Sequence, residues 1–132
     1  MIYLSDTNTI NYAIKSNAIV QAHFARGLAA GATFALSAFV HYEVTRYLKL
    51  KGSTRVARDY ANLTANWPRI EIMTTDWDDA ADLWAAQHRV GQPIDDADLL
   101  IAISALKVGA TVVTNNTRHF ATLGVPLENG TV

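Results

Sequence analysis

Four stretches of this sequence hold the residue types that bind divalent cations. Asp6, in YLSDTNTIN, directly follows an apolar run. Glu43, in SAFVHYEVTRYL, lies four residues from Phe39 and Tyr47 and three from Val40. A carboxylate within an apolar stripe needs a metal or an arginine, unless it stands at the stripe's edge and reaches solvent. PIDDADLL puts three acids, Asp95, Asp96 and Asp98, into four residues. Capping a helix and matching its dipole account for one or two of them. In VTNNTRHF, Asn115 and Asn116 mark a turn, or they supply an amide oxygen to a hydrated ion. His119 reads as a packing or solvent-facing residue, because it lacks the second histidine that zinc sites often use. Hard oxygen donors of this kind suit Mg²⁺ or Mn²⁺ better than zinc. If three such carboxylates converge without a cation, their repulsion raises at least one pKa.

The elements between these stretches must bring them together. Residues Ile2 to Ser5 read as a short buried strand, followed by helices over Asn8–Ser16 and Ala18–Ala30. Thr33–Leu36 is a second strand. Ser37 caps a helix over Ala38–Leu50 that Gly52 ends, and Ser53 caps another that reaches Asn66 before Pro68 stops it. Ile70–Met73 is a third strand. A helix then runs from Thr75 or Asp76 to His88 or Arg89, with Asp78 and Asp79 in its first turn. Asp95 or Asp96 opens a nearly all-apolar, buried helix to Lys107, on which Asp98, Ala102 and Ala105 share a small-residue face. Thr111–Thr114 is a fourth strand, NNTRHF a turn or short helix, and Leu127–Glu128 a last short strand. Strands alternating with helices predict a mainly parallel sheet of four to five strands in an α/β/α sandwich. Sites in such folds gather at the carboxyl ends of strands, where Asp6, Asn115 and Asn116 stand.

A length of 132 residues suits one domain, and a hydrophobic half supports a real core. The absence of cysteine excludes disulfides and thiolate metal sites and fits a reducing cytoplasm. No signal peptide is expected, and the longest apolar run is too short to span a bilayer. A net charge of -1 excludes nucleic-acid binding through bulk charge, leaving a local patch or a metal ion as the means.

With these motifs in view, the chain resembles the PIN-domain ribonucleases, specifically VapC-type toxins of bacterial toxin–antitoxin pairs. YLSDTNTI is similar to that family's opening strand and first acid. SAFVHYEVTRYL is similar to its second acidic motif. GQPIDDADLLIAISALKVGATVVTNNTRHF resembles its third and fourth motifs, and GVPLEN its C-terminal end. The resemblance covers nearly the whole chain, as a single PIN domain over residues 1–132.

It implies that Asp6 and Asp98 bind metal and that Glu43 assists metal or water placement. Asn116 takes a fourth position that is Asp in many members, with Asn115 as its neighbouring ambiguity. Asp95 and Asp96 receive no ligand role. Thr7 and Asn8 are expected to orient the first acid, and Thr114 to play a similar part. The chemistry implied is Mg²⁺- or Mn²⁺-assisted hydrolysis of RNA, with structured RNA such as tRNA as substrate and inhibition of translation as the result. Arg46, Lys49, Lys51 and Arg118 are candidate phosphate contacts. A VapB-like antitoxin would block the acidic site, docking on Ile10, Tyr12, Ile14, Val20 and Phe24 unless these pack in the core. A homodimer is expected.

Rival readings fit less well. A receiver domain needs an acidic pair after the first strand, an Asp after the middle strand and a late Lys. A haloacid-dehalogenase-like phosphatase needs a second Asp where this chain has Asn8. Neither a G-x-G-x-x-G nor a P-loop pattern occurs. A catalytically weak PIN domain serving as a binding or regulatory subunit is the nearest alternative, given Asn116.

Overall fold

The computed structural model describes residues 1–131. Its elements, in chain order, are β1 (Ile2–Ser5), α1 (Thr7–Ile14), α2 (Ala18–Ala29), β2 (Thr33–Ser37), α3 (Ala38–Lys51), α4 (Thr54–Thr64), β3 (Arg69–Ile70), α5 (Thr74–Arg89), α6 (Asp96–Val108), β4 (Thr111–Val113), a 3₁₀ turn (Thr117–His119) and β5 (Leu127–Glu128). The five strands form one sheet in the order β3-β2-β1-β4-β5. Every pairing is parallel, with Leu4 opposite Ala35 on one side and Val112 on the other.

Strand alternation sends successive side chains to opposite faces and so builds two cores. Tyr3 and Phe34 stack with ring centroids 5.3 Å apart, and Phe34 meets Phe24 of α2 and Trp67. Leu4 and Ala35 join the other cluster, with Ile101, Ala102 and Ala105 of α6. The expected three-layer α/β/α sandwich follows. As expected of a buried helix, seven consecutive residues of α6, Leu99 to Ala105, are buried. The small side chains of Ala102 and Ala105, both 0% exposed, let it lie close to β1 and β4.

Local chemistry sets the helix ends. Ser37 Oγ accepts from Phe39 N at 3.2 Å, and Gly52 closes α3 at φ 67°, a left-handed value that suits glycine. The third strand is shorter than the sequence suggests, because β2 offers it only Leu36 and Ser37 as partners. Helix α5 starts earlier than expected, at Thr74. Asp76, rather than Asp78 or Asp79, is the acid of its first turn; its Oδ2 accepts from Met73 N at 2.7 Å. Among the described residues, no helix is long and apolar enough to cross a membrane.

The strand order reverses direction at β1, with β2 and β3 to one side and β4 and β5 to the other. A crevice therefore opens at the carboxyl ends of β1 and β4, the place where open α/β sheets bind ligands.

Candidate functional site

Asp6 stands at that crevice and is 7% exposed. Its backbone N–H donates to Val113 O at 3.0 Å, which ties the first strand's exit to β4. Both carboxylate oxygens are engaged. Oδ1 accepts from Thr9 N at 2.8 Å, so Asp6 is the N-cap of α1. Oδ2 accepts from the Thr114 hydroxyl at 2.6 Å. Thr114 is 0% exposed, and its Oγ1 also accepts from Asn116 N at 3.0 Å. One hydroxyl thus fixes the first acid and the turn that follows β4.

The second acid is held from the neighbouring helix. Glu43 Oε1 accepts from the Thr7 hydroxyl at 2.6 Å. Its other oxygen lies 3.7 Å from Arg46 Nη2, one turn further along α3. Val40 and Val44 are buried, whereas the Glu43 side chain retains 16% exposure. Glu43 therefore sits on the rim of the apolar stripe, with its carboxylate held between Thr7 and Arg46.

The third acid opens α6. Asp95 caps that helix, accepting from Asp98 N at 2.9 Å. Asp98 Oδ2 faces His119 Nδ1 at 3.0 Å. Burial pushes the Asp98 carboxyl above its usual range; the charges of Asp95 and, more weakly, Asp6 push the same way, and His119 opposes them. Burial is the larger cause, and repulsion among the acids adds to it. Asp95, Asp98 and His119 offer ligand atoms that all lie within 4.8 Å of one another. They line a cleft of about 370 Å³ with Gln87, Arg118 and Thr122. A carboxylate-rich cluster whose charge is only partly offset fits a hard divalent cation.

Several sequence expectations need correction. Asp6 caps α1 itself, and Asn8 lies inside the helix. Thr7 orients Glu43 rather than Asp6, a role invisible without the packing of α1 on α3. Asn115 turns away from the acids, donating to Tyr12 Oη at 3.2 Å. Asn116 is exposed, and its amide nitrogen lies 3.0 Å from His119 Nε2. Asp95 and His119, given no ligand role from sequence, are the residues whose ligand atoms cluster with those of Asp98. Arg118 lines the cleft beside Asp98, whereas Lys49 lines a separate cavity between α3 and α4. Of the expected docking residues, Ile10, Val20 and Phe24 are core, and Tyr12 and Ile14 are half-buried.

The family model described as PIN domain matches residues 3–125. Among solved structures, the chain is similar to one described as VapBC2 from Rickettsia felis bound to a DNA fragment from their promoter, at 28% identity and TM-score 0.80, with 98% of each chain covered. It is also similar to VapBC-1 from nontypeable Haemophilus influenzae, at 24% identity and TM-score 0.82 over 100% of both chains. A toxin-antitoxin complex from Klebsiella pneumoniae shows 20% identity and TM-score 0.70 over 97% of both chains. The last two likenesses bear on the fold alone. No curated protein matches the chain.

Proposed function

Since the chain belongs to the PIN domain family, whose members are nucleases, we propose that it is a metal-dependent endoribonuclease acting as a VapC-type toxin. The observation that carries this reading is the cluster of Asp95, Asp98 and His119, whose ligand atoms lie within 4.8 Å of one another, together with Asp6 at the carboxyl end of β1. Residues 1–132 act as one domain.

Asp6, Glu43 and Asp98 would hold Mg²⁺ or Mn²⁺, which supplies charge neutralisation at the phosphoryl group and a more acidic water. The protein's own groups do the rest. Thr114 and the α1 N–H of Thr9 hold Asp6 in one orientation. Thr7 fixes Glu43, whose Oε2, facing Arg46, would orient the attacking water and accept its proton. Asn116 positions the turn at the crevice through its N–H to Thr114. Arg118, beside Asp98, meets a substrate phosphate, as do Arg46 and Lys49 further out. The substrate is RNA, with tRNA as the leading class, and its loss inhibits translation in the cytoplasm.

The partner is a VapB-like antitoxin that blocks the acidic crevice, and the chain itself forms a homodimer. Support comes from the 28%-identical structure, which its description gives as a VapBC assembly. An antitoxin arginine would match the charge left on Asp98.

The test is cleavage of total tRNA by purified protein with Mg²⁺, with Mn²⁺ and with chelator, for the parent, Asp6→Ala and Asp98→Ala. Metal-dependent cutting that both substitutions remove supports the reading. No cutting with either metal, or equal cutting by the variants, sinks it. The absence of cutting with either metal would favour a binding or regulatory subunit, a reading to which Asn116 in the fourth position lends weight.

A further inference from the structure

The exposed side of α3 carries two aromatic rings with a cation between them. Tyr42 and Tyr47 are 56% and 50% exposed, more than aromatic rings that serve only packing. The Arg46 guanidinium lies 5.2 Å from the centroid of Tyr42 and 5.3 Å from that of Tyr47. Phe39 extends the row inward, its ring centroid 6.2 Å from that of Tyr42. The row begins beside the acidic crevice, since Arg46 Nη2 is 3.7 Å from Glu43 Oε2. It ends at Tyr47, which lines a cleft of about 740 Å³ between α1, α3 and α4. Lys15, Lys51 and Arg55 line the same cleft and outnumber Asp59 there. Asn8 and Asn11 add hydrogen-bonding groups along its α1 wall.

We propose that this row and cleft form a subsite for one RNA strand leaving the acidic crevice. Unpaired bases stack on Tyr42, Arg46 and Tyr47, while the backbone phosphates follow Lys15, Lys51 and Arg55. The subsite rests on the ribonuclease reading and changes one part of it: Arg46 is a stacking surface, and the phosphate contacts lie further along. Stacking on aromatic and guanidinium planes is open to any unpaired base, and a row of cations matches a polyanion along its length. A duplex keeps its bases paired and cannot use the row, so the subsite selects single-stranded segments.

Binding, separated from cleavage, tests this. A fluorescent single-stranded RNA oligonucleotide and its duplex are titrated into full-length protein carrying Asp98→Asn, by anisotropy. Adding Tyr42→Leu with Tyr47→Leu is expected to weaken single-strand binding about tenfold or more, whereas Tyr42→Phe with Tyr47→Phe keeps it within about twofold. Lys51→Ala and Arg55→Ala are each expected to lower the slope of log affinity against log salt by about 1. Unchanged affinity in the leucine pair, or an equal loss for duplex, overturns the proposal. So does a change of oligomeric state in light scattering without a change in RNA affinity, which would make the row a protein contact. If the parent binds single strands through the row yet cuts no RNA with either metal, the ribonuclease reading fails while the subsite stands.

Discussion

Asp76 and Asp98 each stand in the first turn of a helix, yet their surroundings drive the two carboxyls in opposite directions. At α5, the Lys107 ammonium lies 2.8 Å from Asp76 Oδ2, and the Met73 N–H binds the same oxygen. That hydrogen-bonded lysine, then the backbone N–H, hold Asp76 below its usual range. At α6, burial and the neighbouring Asp95 push Asp98 above it, and a half-exposed histidine is its counterweight. A helix N-terminus favours negative charge in both places, so the dipole does not decide the outcome. Neighbours do. The α5 acid is closed by a cation from within the fold, and the α6 acid is left open to one from outside.

The largest effect should come from breaking the open end. Asp98→Ala is expected to lower metal-dependent RNA cleavage on the order of a thousandfold, measured as initial rate at saturating Mg²⁺. Stability in chelator should not fall. The raised carboxyl favours the folded state below the unfolded value of 3.8, and that benefit is lost as pH rises through the folded value. At neutral pH the ionised Asp98 is therefore a burden that the substitution removes. A marked drop in the urea midpoint of Asp98→Ala would show that this acid is as structural as Asp76.

Asp6 joins the two behaviours in one side chain, since its cap is intramolecular and its position is at the crevice. Asp6→Ala should abolish cleavage and also cost about 1–2 kcal/mol in urea unfolding, through the lost cap of α1. Asp6→Asn should lose the activity and keep most of the stability, because asparagine caps nearly as well. Equal stability losses in the two variants would mean that the charge, not the cap, holds this end of α1.

A smaller effect is expected one bond further out. Thr114→Val removes the hydroxyl from Asp6 Oδ2 and from Asn116 N. Metal affinity, read by isothermal titration, should fall about 10–100-fold, with some loss of stability. Unchanged affinity would show that Asp6 is held by its cap alone.

The smallest effect belongs to the closed end. Asp76 contributes stability that is fully present above the unfolded value of 3.8 and lost as pH falls through its depressed value. Asp76→Asn should therefore be less stable than the parent at neutral pH, with the gap closing as pH falls through the depressed value. Cleavage should be unaffected. A constant gap across pH would trace the loss to packing rather than to the ion pair.

Much of the fold was legible because hydrophobic period and punctuation agree. Gly52 and Gly109 close α3 and α6 as expected, α4 stops at Thr64 short of the expected Asn66, and the largely apolar Leu99–Ala105 run is a buried helix. The extent of β3 was not legible, since a strand is as long as its partner allows. The acids at the crevice could be picked out because three carboxylates in four residues exceed what a cap requires. Their contacts could not. Thr7 reaches Glu43 across 36 residues, and His119 reaches Asp98 across 21, through packing that no local pattern encodes. The cap at Asp6 is a different matter. Aspartate before a helix is among the strongest N-cap signals, and Asp6 directly precedes α1.

The bond between Thr114 and Asp6 spans 108 residues of sequence. Synthesis delivers Asp6 108 residues before the hydroxyl that holds its Oδ2, so the two can meet only once that later segment has been made. The growing chain has no complete site until β4 has emerged and paired with β1.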